Sequence, residues 1–205
     1  MEHEDQQVEQ VKKFIKDYGP WVVAGLVIGL GAMFGWRSYQ GAQAADAQNR
    51  TQAYQTTLQQ LQQVETLSEA NFADDVLAEL AGSEQGALTR LQLASKAVAE
   101  QNLEAASDLL QKAYTETEHG ELKSLISLRL ARIEIARNNF DAANTALQQV
   151  VSESFAAMKA EVQGDLYFAQ GQTEQARAAY EEAVALASEG VNPFLQMKLD
   201  NLAAN

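Results

Sequence analysis

The sequence predicts an all-helical protein, in which one N-terminal transmembrane helix is followed by a stack of helical hairpins and a C-terminal capping helix. Three observations carry this prediction. The 205-residue chain is 46% hydrophobic, is rich in the helix formers Ala, Gln, Leu and Glu, and contains only two prolines, Pro20 and Pro193. An apolar stretch without charges lies near its start, and the rest of the chain repeats one pattern three times.

The apolar stretch runs from Tyr18 to Trp36 and is enclosed by Asp17 and Arg37. As a helix it is about 28 Å long, close to the hydrocarbon thickness of a bilayer. Aromatic residues mark both ends, as two membrane–water interfaces favour; they are Tyr18, Trp21, Trp36 and Tyr39. We therefore predict a transmembrane helix at 18–39 after a short tail at 1–17.

Lysine and arginine near the span predict its orientation. Lys12, Lys13 and Lys16 precede it, whereas Arg37 and Arg50 follow it. Because positive charge favours the cytoplasmic side, the tail is expected in the cytoplasm and the body outside it.

A cleaved signal peptide is the alternative to an anchor, and it would release a soluble secreted binding protein. Ala42-Gln43-Ala44 has the small-x-small pattern of a cleavage site. The tail is long and acidic, however, with Glu2, Glu4 and Asp5 where a signal peptide has a short basic region. The retained anchor is the preferred prediction.

Four glycines within the span form two G-x-x-x-G patterns, Gly25 with Gly29 and Gly31 with Gly35. Glycines at this spacing let a second helix approach closely within a membrane. We predict them as helix-packing positions, with glycine's general frequency in membrane helices as the alternative.

Three segments of the body align without gaps: Leu91–Ala113, Leu128–Val150 and Glu161–Ala183. Their intervals of 37 and 33 residues lie near the tetratricopeptide period of about 34, which is a helix–turn–helix unit. The shared positions are a first small residue (Ala94, Ala131, Gly164), a second small residue (Ala106, Ala143, Ala176) and a large residue (Leu110, Leu147, Tyr180). Since small residues let paired helices pack closely, 85–190 is predicted to hold three tetratricopeptide-like repeats.

Helices of other kinds are predicted on both sides of the repeats. Residues 40–84 are predicted to form linker or docking helices, the second from Phe72 to Leu80, ended by Gly82. After the repeats, Asn192 suits an N-cap and Pro193 the first helical position, which predicts a capping helix at 191–205.

The first helices of the hairpins are predicted to line a concave face. The candidate residues of this face are Leu88, Leu91, Val98, Leu125, Leu128, Arg132, Ile135, Met158 and Phe168. Exposed apolar patches are costly, so we expect the helix at 42–67 or the flanking chain to cover these residues, with an open binding groove as the alternative.

No constellation for chemistry is visible, so the chain is not expected to be an enzyme or to hold a metal or cofactor. Cysteine is absent, and the histidines are His3, in the tail, and His119, which we place in a solvated loop between repeats. A net charge of −13 argues against binding nucleic acid.

Four stretches give the chain a family resemblance that covers nearly its whole length. They are VKKFIKDYG (Val11–Gly19), GLGAMFGWR (Gly29–Arg37), LKSLISLRLARIEIA (Leu122–Ala136) and LQMKLDNLA (Leu195–Ala203). With these motifs the chain resembles the YfgM family of single-span inner-membrane proteins, and it departs from that family mainly around Asp74 to Gln85.

The resemblance implies an ancillary subunit of the SecYEG translocon, in the bacterial inner membrane, with its tetratricopeptide-like domain in the periplasm. It also implies association with the periplasmic chaperone PpiD and contact with newly exported, unfolded chains. A scaffold for another cell-envelope assembly complex is the rival function, because the same sequence features would serve it.

Overall fold

A computed structural model describes residues 2–64, 66, 72–187 and 193–203 of the chain. All regular structure in these ranges is helical. The α-helices are α1 (Glu2–Gln63), α2 (Phe72–Glu79), α3 (Glu84–Ala99), α4 (Leu103–Glu116), α5 (Gly120–Ala136), α6 (Phe140–Gln148), α7 (Ala156–Ala169), α8 (Thr173–Leu186) and α9 (Pro193–Ala203). A 3₁₀ turn at Glu153–Phe155 precedes α7.

The chain divides into two compact units, Met1–Asn49 and Arg50–Asn205. The first unit is the N-terminal part of α1, and the second holds the end of α1 and all the other helices. Helices α3 to α8 form three hairpins, α3 with α4, α5 with α6, and α7 with α8, and successive hairpins pack on each other. Within the second unit the described chain is thus a tetratricopeptide-like stack, in agreement with the predicted fold class.

The repeat pattern occupies the interior of this stack. All nine of its small and large positions are buried: Ala94, Ala131 and Gly164, then Ala106, Ala143 and Ala176, then Leu110, Leu147 and Tyr180. In the third hairpin the packing is so close that a Cβ added to Gly164 would collide with the ring of Tyr180. The small residues therefore set the distance between the two helices of a hairpin.

Each hairpin turns through the same backbone device. The second residue after the first helix has a left-handed conformation, with φ of 62° at Gln101, 61° at Asn138 and 75° at Gly171. In the first turn the N–H of Asn102 donates to the carbonyl of Ala97 at 2.8 Å, and equivalent bonds close the other two turns. This is the Schellman motif, which satisfies the last carbonyls of a helix.

The end of α1 and α2 pack against the first hairpin. Leu61, Leu77 and Leu93 form a buried cluster, with Val64 and Leu109 against it. Lys96 Nζ also donates to the carbonyl of Val64 at 2.6 Å. The predicted boundary at residue 67 and part of the linker, 67–71, lie outside the described residues.

Helix α9 packs on α8 and is held by two cations. Lys198 binds Glu161 and Asp165, each at 2.7 Å, and Arg177 donates to the carbonyl of Leu202 at 3.0 Å. The predicted start of this helix, at 191–192, and residues 204–205 lie outside the described residues.

The segment predicted to span a membrane is helical, since 18–39 lies within α1. In the part of the chain that the structure describes, no helix is both long and apolar enough to cross a bilayer. The side chains of Gly19, Val22 and Ala24 lie outside the described residues, as do most of those in the predicted tail. The helical part of this prediction is therefore confirmed, and the membrane-spanning part stays a prediction.

Candidate partner-binding groove

The predicted concave-face residues separate into core and surface positions. Leu91 and Leu128 are buried in the main hydrophobic core, and Leu88, Leu125 and Ile135 are partly buried. The exposed members are Val98, Arg132, Met158 and Phe168. The side chains of Val98 and Phe168 are 42% and 52% exposed, so this face is open in part and filled in part.

One cleft of about 340 Å³ lies between α3 and α5 on this face. We call it the α3–α5 cleft; it is lined by Leu91, Ala94, Ser95, Val98, Leu110, Arg129, Arg132 and Ile133. It brings together three predicted residues, Leu91, Val98 and Arg132. Met158 and Phe168 belong to α7 and are not part of it.

The sequence analysis missed Arg129, which lies three residues before Arg132 on α5. Residues three apart on a helix are neighbours on its surface, so this spacing was the available signal. The concave face was predicted from equivalent positions in the three repeats, and Arg129 does not occupy one of these positions.

The end of α1 packs into a hydrophobic cluster that is separate from the α3–α5 cleft. Leu61 and Val64 belong to the cluster with Leu77, Leu93 and Leu109, and no member of this cluster lines the cleft. That this helix covers the concave face stays a prediction.

Helix α7 carries two carboxylates between Met158 and Phe168, at a spacing that puts all four residues on one side of the helix. Lys198 forms an ion pair with both Glu161 and Asp165, and the hydroxyl of Tyr180 donates to Asp165 at 2.8 Å. Burial, followed by the nearby charge of Asp165, raises the pKa of Tyr180, so its hydroxyl stays a donor. The acidic pair is thus already occupied from within the chain.

A second cleft, of about 560 Å³, lies between the first two repeats on the side of α4 and α6. Its one charged lining residue is Glu134, only 2% exposed. Ser107 donates to this carboxylate at 2.5 Å, and Arg137 and Asn139 donate at 2.9 and 2.8 Å. Burial raises the pKa of Glu134, but these hydrogen bonds and the charge of Arg137 outweigh it and leave the pKa lowered. An ionised carboxylate with three donors links α4, α5 and α6 and is not poised to take a proton.

Groups for chemistry do not assemble in the described residues. They contain no cluster of three or more His, Cys, Asp or Glu that would hold a metal ion. His119 is exposed, as expected, but it has a structural role: its Nδ1 accepts the N–H of Leu122 at 3.3 Å and so caps α5.

The four glycines of the apolar segment are exposed on α1. A Cβ at Gly25, Gly29, Gly31 or Gly35 would meet no other atom within 4 Å, apart from the helix itself. Large apolar side chains beside them are exposed too, including Trp21 at 79% and Ile28 at 71%.

Comparison with known proteins gives matches that span the chain. Residues 12–204 match the model of the tetratricopeptide repeat-like domain family. A protein of Escherichia coli K12 is 33% identical over 207 residues, and one of Haemophilus influenzae is 32% identical over 199. These matches cover 98% and 97% of the chain and the same shares of the relatives, and both relatives are named ancillary SecYEG translocon subunit. A protein of Aggregatibacter actinomycetemcomitans with the same name is 24% identical over 97% of the chain. No solved structure gives a significant match.

Proposed function

The chain belongs to the YfgM family of ancillary SecYEG translocon subunits, and we propose that it is a membrane-anchored protein-interaction module at the SecYEG protein-export channel. The observation that carries the proposal is the near full-length match to two relatives with that name. Because the match includes the N-terminal segment as well as the repeats, it bears on the whole chain.

We propose that Tyr18–Tyr39 anchors the protein in the bacterial inner membrane, with the tail in the cytoplasm and the repeats in the periplasm. The charge-free sequence and its aromatic ends support this, as do the exposed apolar side chains on this part of α1. Exposed apolar surface of this extent is costly in water, and a lipid environment removes the cost. The lysines before the segment support the orientation.

The proposed role is to hold a binding surface close to chains that emerge from the channel, together with the chaperone PpiD. A tether raises the effective concentration of that surface, so weak contacts with unfolded segments suffice. The partly open concave face, with the exposed side chains Val98, Met158 and Phe168, supports a role in binding. No step of this role requires catalysis.

Co-purification tests the proposal directly. The full-length protein, with a C-terminal tag, is extracted from membranes in mild detergent, and SecY and PpiD are measured in the eluate. We expect both to be recovered. Recovery of a different envelope complex without SecYEG would instead favour a scaffold role in that complex.

Two controls separate the parts of the proposal. Protease added to spheroplasts should digest the C-terminal tag, whereas the N-terminus should stay protected; the reverse result contradicts the orientation. N-terminal sequencing identifies the first residue of the mature protein. A mature protein that begins at Ala45 would contradict the retained anchor.

The glycine pairs allow a test of helix packing within the membrane. Replacing Gly25 and Gly29 by Leu should reduce recovery of SecY or PpiD, because the groove that admits a close helix is filled. The repeats should stay folded, since both glycines belong to the first compact unit and all the repeats belong to the second. Unchanged recovery would count against this pair as a packing seam.

A further inference from the structure

Arg129 and Arg132 sit side by side at the α3–α5 cleft, and both are exposed. Neither makes an ion pair or a hydrogen bond with any residue that the structure describes. Other arginines of the repeats do: Arg90 donates two bonds to Glu116, each at 2.8 Å. In a chain with 28 acidic and 15 basic residues, two adjacent arginines without a carboxylate form a local positive site in a negative molecule.

The same cleft is apolar beneath the arginines. Leu91, Val98 and Ile133 line it, and its volume of about 340 Å³ admits a side chain from another molecule. An arginine side chain offers a planar fork of donors that fits a carboxylate with two parallel bonds. The cleft thus pairs two carboxylate-binding groups with an apolar recess.

The carboxylates of α7 nearest in the repeat pattern are already ion-paired within the chain. They are Glu161 and Asp165, and both are bound by Lys198 of α9. Apolar positions continue along the concave face, one in each repeat, at Val98, Ile135 and Phe168. Arg129 and Arg132 are therefore cations that no described carboxylate pairs, and they lie beside a row of apolar side chains.

We infer that the α3–α5 cleft binds a segment of a partner protein in which a carboxylate stands next to an apolar residue. Arg129 and Arg132 bind the carboxylate, and the apolar side chain enters the recess lined by Leu91 and Val98. The inference rests on the proposed function as an interaction module and names the chemistry of its partner. A protein segment fits better than an anionic membrane surface, because a recess admits a single side chain and a net charge of −13 repels such a surface.

A defined peptide tests the inference with the full-length protein in detergent. The probe is a fluorescein-labelled synthetic peptide of three Leu-Glu-Gly-Ser repeats, compared with the same peptide carrying Gln for Glu. We expect fluorescence anisotropy to show tighter binding of the acidic peptide, with affinity that falls as salt rises. Replacing both arginines by Gln should weaken its binding about tenfold or more and leave the Gln peptide unaffected.

Two further variants sharpen the test. Lys112→Gln is the matched control, since Lys112 is an exposed cation on α4 outside the cleft, and it should leave binding unchanged. Val98→Glu places a competing carboxylate beside the arginines and should also abolish the preference for the acidic peptide. Circular dichroism checks that each variant is folded, as expected for exposed positions.

Several results would overturn the inference. They are no measurable binding of the acidic peptide, equal affinity for the two peptides, or no effect of the double arginine variant. Arginine-dependent binding to phosphatidylglycerol vesicles would assign the site to lipid headgroups, and arginine-dependent self-association would assign it to a second copy. Co-purification of SecY with the double variant is measured in parallel, so that loss of the cleft's role is distinguished from failure of the translocon proposal.

Discussion

Gln101 adopts a left-handed backbone that glycine adopts freely and other residues adopt only at a cost. Its counterpart in the third repeat is Gly171, with nearly the same φ and the same closing hydrogen bonds. Replacing Gln101 by Gly should therefore raise the free energy of unfolding, by about 0.5–1 kcal/mol, because strain is removed while the turn is kept. Urea denaturation measures the change.

Reciprocal substitutions in the other turns serve as controls. Gly171→Gln should lower the free energy of unfolding by about 1 kcal/mol. Asn138→Gly should have a smaller effect than Gln101→Gly, since asparagine tolerates this conformation better. Destabilisation by Gln101→Gly would mean that its side chain contributes more than its backbone costs.

Glu134 makes stability depend on pH, because its pKa is lowered in the folded protein. The unfolded chain therefore takes up this proton first as pH falls, and folding loses the contribution of Glu134 as pH drops from about 5 through the lowered pKa. In Glu134→Gln this part of the pH dependence should disappear. At neutral pH the variant should lose about 1–3 kcal/mol, since an amide nitrogen then faces the donors of Arg137 and Asn139.

Urea unfolding at several pH values checks this prediction. Glu181→Gln is the matched control, because Glu181 is exposed on α8 and should leave the acid limb of the curve close to that of the parent protein. If the free energy of unfolding fell with decreasing pH in the same way in Glu134→Gln and in the parent, the role assigned to this carboxylate would be contradicted.

At the scale of helices, the contact of α7 with α8 depends on the lack of a side chain at Gly164. Tyr180 is buried against Gly164, and the hydrogen bond from its hydroxyl to Asp165 restrains the ring that a Cβ would have to displace. Gly164→Ala should cost about 1–3 kcal/mol through overpacking, although alanine favours a helix. Gly120→Ala at the start of α5, where a Cβ meets no atom within 4 Å, should be neutral or stabilising.

Thermal unfolding of the two alanine variants makes the comparison, because they share the same chemical change. Similar melting temperatures for both would show that the hairpin adjusts to an added methyl group. A loss confined to Gly164→Ala would show that the small position of the repeat sets the helix spacing.

The hairpins could be predicted from sequence because small residues recur at fixed places and their physical effect is local. Ala106 and Leu110, for example, lie one turn apart and are both buried as the pattern requires. The polar links could not be predicted in this way. Ser107 meets Glu134 across 27 residues, and Lys198 meets Glu161 across 37, and no periodic pattern marks such partners.

The candidate groove was predicted only in part, for a related reason. Repeat geometry identifies which positions face inwards, and Val98 and Arg132 do line the α3–α5 cleft. It does not tell which positions the neighbouring helices fill, so Leu91 and Leu128 belong largely to the core. Repeat geometry also does not identify Arg129. This residue is of interest because Arg132 lies beside it and because no described carboxylate pairs with it.

At the scale of the molecule, the second unit is expected to fold without the first, and this predicts how a fragment behaves. The described hydrophobic clusters all lie within 50–205, and the end of α1 is held there by Leu61 against Leu77 and Leu93. A fragment of residues 50–205 should therefore be water-soluble and helical, with a cooperative urea transition, and should bind the acidic peptide as the full-length protein does. Exported to the periplasm, it should be absent from the membrane fraction and recover much less SecY, because the proposed tether is gone.

Circular dichroism and sedimentation of the fragment, with the full-length protein as the control, measure whether it is folded and soluble. If the fragment were aggregated or unfolded, residues 1–49 would contribute to folding. If it recovered as much SecY as the full-length protein does, an anchor would not be needed.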